Sequence, residues 1–298
     1  MPPRPPPPRL THFLAIPLVT PISRPQLQHS ILQFKDKVTQ PNIASLADGI
    51  PEQAIRPIGT LHLTLGVMSL TTPEKVEGVL SLLKSLEFVG VKASNSRAQN
   101  VGDDVDPVPN PSGHWDSQSG GKDKSIPSNS ASQEKGKGKG DKAEREGRPP
   151  PLYITLQGLQ SMHDPSKTSV LYTAPLDPDL RLYRFCVKLR EVFKDFLVGE
   201  QRPLLLHATV ANTVYVKGRG TGRGRRDGGR ARGGRTAGEG RGKERLVLDA
   251  RELLGDWEDF VWMKDVRVEK VAVLRMGAKV GESGEEEYEV EGEVDMPT

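Results

Sequence analysis

The sequence predicts an α+β fold of two similar lobes around a central cleft. Three observations predict it. The motif His-x-Thr followed by an apolar residue occurs twice, each time in a strand-like run. Each half of the chain supplies strands and at least one long amphipathic helix besides its motif. Setting aside the 56 residues of 93–148 and the 29 of 217–245 leaves 213 of 298, a length that suits one two-lobed domain.

The first motif lies in TLHLTLGVMSL, residues 60–70, as His62, Leu63, Thr64 and Leu65. The second lies in LLLHATVANTVY, residues 204–215, as His207, Ala208, Thr209 and Val210. Both runs are apolar and β-branched enough to read as strands. Side chains alternate faces along a strand, so His and Thr at i and i+2 project together. If the two strands face each other across the cleft, two imidazoles and two hydroxyls converge. Such a set suits phosphoryl chemistry, with imidazoles as base and acid and hydroxyls holding non-bridging oxygens. A lone His-x-Thr carries no weight, since any strand can hold one; the surroundings give the repeat its force.

In chain order, residues 1–9 are a proline-rich, disordered tail. THFLAIPLV, residues 11–19, is a strand, and its His12, without a following Thr, reads as structural or edge-exposed. PQLQHSILQFKDKV, residues 25–38, is helical, with Leu27, Ile31, Phe34 and Val38 on one face, His29 on the polar face and Ser23 as the cap. A loop over 39–57 leads to the first motif strand. TTPEKVEGVLSLLKSL then opens a helix with Thr71 and Glu74 at capping-box spacing, Pro73 in the first turn, and a stripe of Val76, Val79, Leu80 and Leu83.

Residues 93–148 have nine basic and nine acidic residues and few apolar ones, so they are expected to be a disordered insertion, with His114 inside it. PLYITLQGLQ (151–160) and TSVLYTAPL (168–176) form a hairpin around Asp164 and Pro165, with His163 exposed at the turn. Residues 177–198 read as one long helix burying Leu182, Phe185, Leu189, Val192, Phe193 and Phe196, and the second motif strand follows. Residues 217–245 are a second disordered insertion, an Arg-Gly tract with eleven basic and three acidic residues. Tracts of this kind bind nucleic acid through charge and guanidinium stacking, or are idle low-complexity expansions. Beyond it lie a short helix in LVLDARELLGDWEDF, a strand over 263–276 whose valine alternation shifts midway, and a last strand, EEYEVEGEV, that closes a sheet.

Composition excludes several classes. The one cysteine, Cys186, rules out a disulfide framework and a thiolate metal site; it reads as a small core residue, so no disulfide-linked partner is expected. No apolar run reaches the roughly 18 residues of a membrane span. The N-terminus lacks the apolar stretch of a signal peptide, so an intracellular protein is expected, and the Arg-Gly tract leans nuclear.

With these residues in view, the chain resembles the 2H phosphoesterase superfamily, named for two His-x-[Ser/Thr] motifs. The likeness is closest to the A-kinase anchor protein 7-like phosphoesterase domain. Within that group it is similar to the module of activating signal cointegrator 1 complex subunit 1. The carrying runs are FLAIPL (13–18), HLTLGVMSL (62–70), LYITLQGLQ (152–160), HATVANTVY (207–215), LDARELLGDWEDF (248–260) and VRVEKVAVLRMG (266–277). The KH signature that accompanies that subunit's module is not seen in these residues. The resemblance implies antiparallel sheets with flanking helices around a central cleft, in a domain spanning 10–298 and interrupted by the two insertions. It also implies a metal-independent phosphodiesterase without cofactor, with His62 and His207 catalytic and Thr64 and Thr209 phosphate-binding. The substrate would be an RNA end, a cyclic phosphate or a 2′-5′ linked oligonucleotide. The alternative is an RNA- or nucleotide-binding adaptor of a nuclear transcription or repair complex, without turnover. Which histidine is base and which acid stays open at this level.

Overall fold

The structure is a computed structural model and describes residues 6–41, 43, 46, 48–86, 151–199, 203–216, 246–282 and 284–296. The expected insertions at 93–148 and 217–245, with His114 in the first, lie outside the described residues, as does most of the proline tail.

The first strand, β1 (His12–Pro17), is buried along nearly its whole length. Such a run, apolar after His12, marks a central strand covered on both faces. Helix α1 (Ser23–Val38) follows and buries Leu27, Ile31, Phe34 and Val38, the expected face. Its cap differs from expectation. Ser23 is the first helical residue, and Ile22, the N-cap, offers no side-chain acceptor. The Thr20 hydroxyl accepts from the Ser23 N–H at 3.2 Å, while the Ser23 hydroxyl donates to the Leu18 carbonyl at 2.6 Å. Two 3₁₀ turns, Glu52–Ala54 and Ile58–Thr60, lead into β2 (His62–Met68). Helix α2 (Pro73–Ser85) starts one residue later than the capping-box spacing implied: Thr72 is the N-cap and Pro73 opens the helix. Glu74 still serves that end, its carboxyl held below the usual range by its own N–H and the Thr72 hydroxyl.

Strands β3 (Tyr153–Ser161) and β4 (Val170–Leu176) form the expected hairpin, its turn fixed by the Asp164 carboxylate accepting from the Ser166 N–H at 2.9 Å. Helix α3 covers only Arg181–Val192, not 177–198. The Asp177 carboxylate takes the N–H groups of Leu182 and Tyr183 and so starts the helix late, with Leu180 in the left-handed region at φ 53°. At the other end the chain turns at Phe193 and gives Leu197–Val198, here β5, to pairing with β2. Val192, expected inside, is 43% exposed, whereas Phe193 and Cys186 are fully buried. Then come β6 (Ala208–Asn212), α4 (Arg251–Asp256), β7 (Val261–Arg267), β8 (Lys270–Arg275), β9 (Lys279–Val280), β10 (Glu286–Glu287) and β11 (Val290–Asp295).

These strands make two main antiparallel sheets, one per lobe. One has the order β11-β8-β1-β2-β5 and the other β6-β4-β3-β7; β9 and β10 form a separate small hairpin. The expected single strand over 263–276 is therefore two strands in different sheets. The midway shift in its valine alternation marks the crossing: Val266 pairs with Ile154 in one sheet, while Val273 pairs with Leu14 in the other. The final run is likewise split, its β11 half closing the edge of the five-stranded sheet. The lobes thus interleave along the chain, since β5, β8 and β11 return to the sheet that β1 and β2 began.

One face of β1, β2 and β8 packs Leu14, Ile16, Leu63, Leu65, Val271 and Val273 into the main core, shared with α1, α3 and the four-stranded sheet. The other face carries a small second cluster of Phe13, Ala15, Ala272 and Leu274, joined by Val67 and Tyr288. His12 is buried in β1 and holds Thr11 Oγ1 at 2.8 Å and Glu291 at 3.2 Å, so it is structural and not edge-exposed. His29 and His163 are exposed as expected.

Candidate active site

The two motifs use one local device. His62 opens β2, and its Nδ1 donates to the Thr60 carbonyl at 2.8 Å. His207 stands just before β6, one residue short of the expected strand position, and its Nδ1 donates to the Leu205 carbonyl at 2.9 Å. A carbonyl can only accept, so each neutral ring carries its proton on Nδ1 and presents the Nε2 lone pair outward. At His62 the Thr64 hydroxyl lies 3.0 Å from Nε2 and donates to it. Thr209 sits in register with Tyr172, whose ring meets that of His207 edge-on at 5.4 Å.

The two histidines, one from each sheet, lie within electrostatic reach of each other. Burial pushes the pKa of His62 down to about 4; the Thr60 carbonyl opposes this, and the charges of His207 and Arg56 add to it. Burial also lowers the pKa of His207, with the Leu205 carbonyl opposing. Desolvation thus favours the neutral form of both rings.

Sequence reading missed the walls of this site. The Phe13 ring lies 4.8 Å from His62 and Tyr288 lies 5.2 Å away, perpendicular to it. Arg56 lies over the Tyr215 ring at 4.1 Å and reaches the Tyr288 hydroxyl at 3.5 Å. Its own N–H donates to the Val210 carbonyl at 2.9 Å, next to Thr209. The sequence signals for these residues were weak: Tyr215 ends the second motif run, and Arg56 sits in a segment that reads as loop. A cavity of about 280 Å³ opens beside His62, between Pro17, Leu274, Glu287 and Tyr288. A larger hollow of about 990 Å³, between α2 and the ends of β1 and β8, touches neither motif histidine. Among the described residues, no three His, Cys, Asp or Glu side chains group as metal ligands would, and no helix is long and apolar enough to cross a membrane.

The sequence profile of the AKAP7 2′5′ RNA ligase-like domain matches residues 10–296. The chain belongs to this family. As an AKAP7-like domain it is a 2H phosphoesterase superfamily member, and both His-x-Thr motifs fall inside the matched span. Its two antiparallel sheets, with a motif histidine from each, are the two-lobed fold of that superfamily. Among solved structures the AKAP7-like chain is similar to E. coli LigT complexed with 3′-AMP, at 15% identity and a TM-score of 0.44, over 97% of this chain and 99% of that one. It is also similar to TT0787 of Thermus thermophilus, at 13% identity and a TM-score of 0.42, over 96% and 97%. Among curated proteins none matches.

Proposed function

We propose that the chain is a phosphodiesterase acting at a ribose 2′ or 3′ position of an RNA end, a cyclic phosphate or a 2′-5′ linked oligonucleotide. The observation that supports this most is the pair of imidazoles, one from each sheet. Each is locked by a carbonyl on Nδ1, and His62 has a threonine hydroxyl at Nε2.

His62 serves as general base. It is neutral at pH 7, and its Nε2 lone pair is kept available by the Thr64 hydroxyl, which can turn from the ring to a phosphate oxygen. In hydrolysis of a cyclic phosphate, water attacks phosphorus and gives its proton to His62 Nε2. The bond from phosphorus to the leaving ribose oxygen breaks, and that oxygen takes a proton from His207 Nε2. His207 is the less enclosed ring, and the negative charge of a bound phosphate raises its pKa toward the range where it can act as acid. Thr64 and Thr209 donate to the non-bridging oxygens as charge builds on them. Solvent exchange then restores both rings.

The same proposal includes the domain limits of 10–298 with insertions at 93–148 and 217–245. It also includes the kinship with the module of activating signal cointegrator 1 complex subunit 1 and a nuclear site of action. The HLTLGVMSL and HATVANTVY runs and the Arg-Gly tract support these parts.

The test is turnover of a 2′,3′-cyclic nucleotide and of a 2′-5′ linked dinucleotide, each in the presence of chelator. Hydrolysis of at least one is expected. Tight nucleotide binding with no turnover of either would replace the enzyme with a binding adaptor.

A further inference from the structure

Arg56 is 6% exposed and has no carboxylate within ion-pairing distance among the described residues. A buried guanidinium without a counter-ion is costly, because its hydration is lost and nothing negative replaces it. Structural arginines at such depth are normally paired. Here the planar face is stacked on Tyr215 and one Nη reaches the Tyr288 hydroxyl, itself bonded to Tyr215. Neither partner neutralises the charge. The clamp draws on three distant segments: the loop before β2, the turn after β6, and the link between β10 and β11.

The backbone is held as firmly as the side chain. Pro57 disfavours helical geometry at Arg56. The preceding Ile55 bridges to Ala211 at the free edge of β6, and the Arg56 N–H bonds Val210. The Arg56 backbone is thus fixed at Val210, the chain neighbour of Thr209, while its charge also reaches His62. Its backbone is tied to the second motif strand, and among the described residues its charge has no carboxylate partner.

We infer that Arg56 is a third anion-binding group of the cleft, which holds the non-bridging oxygens of the substrate phosphate with its guanidinium fork. This rests on the phosphodiester reading for the identity of the anion, although not on turnover. A planar fork with fixed orientation suits a phosphate better than a flexible ammonium does. Because the guanidinium is already ordered by Tyr215 and Tyr288, little freedom is lost when the anion arrives. Negative charge grows on the equatorial oxygens during attack, so the contact strengthens in the transition state.

The experiment compares wild type, Arg56→Gln and Arg56→Lys. Calorimetry with a nucleoside 3′-monophosphate and with the uncharged nucleoside separates phosphate binding from base and sugar contacts. Arg56→Gln is expected to weaken the monophosphate at least tenfold and leave the nucleoside unchanged. Its kcat/KM on a 2′,3′-cyclic nucleotide is expected to fall about 10²-fold, mostly in kcat. Arg56→Lys, which keeps charge and bulk, is expected to fall between the two. It carries the test if melting curves show that the Gln variant does not fold. Monophosphate binding equal to wild type in the folded variant would overturn the assignment. If wild type turns nothing over yet binds the monophosphate in an Arg56-dependent way, the hydrolytic reading fails and the anion site stands. If wild type is active and Arg56→Gln is equally active, the reverse holds.

Discussion

The enclosure of His62 makes acid sensitivity a measurable property of the fold. In the native chain its pKa is lowered to about 4 from an ordinary 6.5. The unfolded chain therefore binds more protons than the native chain at any pH between those values, and stability rises with pH across that window. The contribution is fully present above 6.5, declines as pH falls from there, and is gone below about 4. Integrating from pH 7.5 to pH 5 gives a loss of about 2 kcal/mol, within a total of about 3 kcal/mol. Carboxylates also titrate near the lower end, so the comparison must be with a chain lacking only this group. The substitution is His62→Gln, and the assay is urea unfolding at pH 7.5, 6 and 5. Wild type should lose about 2 kcal/mol more than the variant between the extremes. Nuclear magnetic resonance of the His62 ring should show it still neutral at pH 5. Parallel pH dependence in the two proteins, or a His62 titration near 6.5, would refute the reasoning. In that case the ring would be open to water, and its neutrality at pH 7 could not be assigned to burial.

The proposed chemistry makes His62→Ala and His207→Ala each lose about 10²–10⁴-fold in turnover. The double variant should be little worse than either single one, and full activity in either single variant would remove that residue from the reaction. Gly158 has φ +74°, and a Cβ there would lie 2.8 Å from the Glu258 carbonyl oxygen. Gly158→Ala should therefore cost about 1–3 kcal/mol in urea unfolding, and an unchanged midpoint would show that this backbone can relax. The chain's net charge is +3, residues 217–245 carry +8 and 93–148 are neutral, so the remaining 213 residues carry −5. Deleting 218–243 should leave turnover of a small cyclic nucleotide unchanged. It should also flatten the salt dependence of single-stranded RNA binding by about 0.7 in log–log slope for each phosphate that the tract neutralises; identical slopes would make the tract idle.

Much of the local geometry of the candidate site was legible because it depends on near neighbours. His62 and Thr64 are two residues apart on a strand, and period-two alternation alone puts them on one side; the 3.0 Å contact between them is that parity made visible. The carbonyl that orients each histidine also comes from two residues upstream. Element ends were less legible, because propensity and pairing compete there. Phe193 and Phe196 continue the apolar stripe of α3, yet Leu197 is drawn into pairing with Met68 and the helix stops at Val192. The valines of 263–276 carried a real signal, a slip in alternation, whose meaning needed a second sheet to receive the other half.

What the sequence by itself determined is most of the strands and helices, most of their apolar faces and the two motif pairs, since these depend on neighbours within a few residues. What only the tertiary structure decided is the company those pairs keep. Arg56 and Tyr288 meet although 232 residues separate them. Phe13 and Tyr288 enclose His62 from opposite ends of the chain. Such meetings follow from strand order, β11-β8-β1-β2-β5 against β6-β4-β3-β7, and no periodicity encodes that order. The depression of the His62 pKa is of the same kind. Desolvation depends on everything packed around the ring, and it exists only once both sheets and the Tyr288 segment have closed on it.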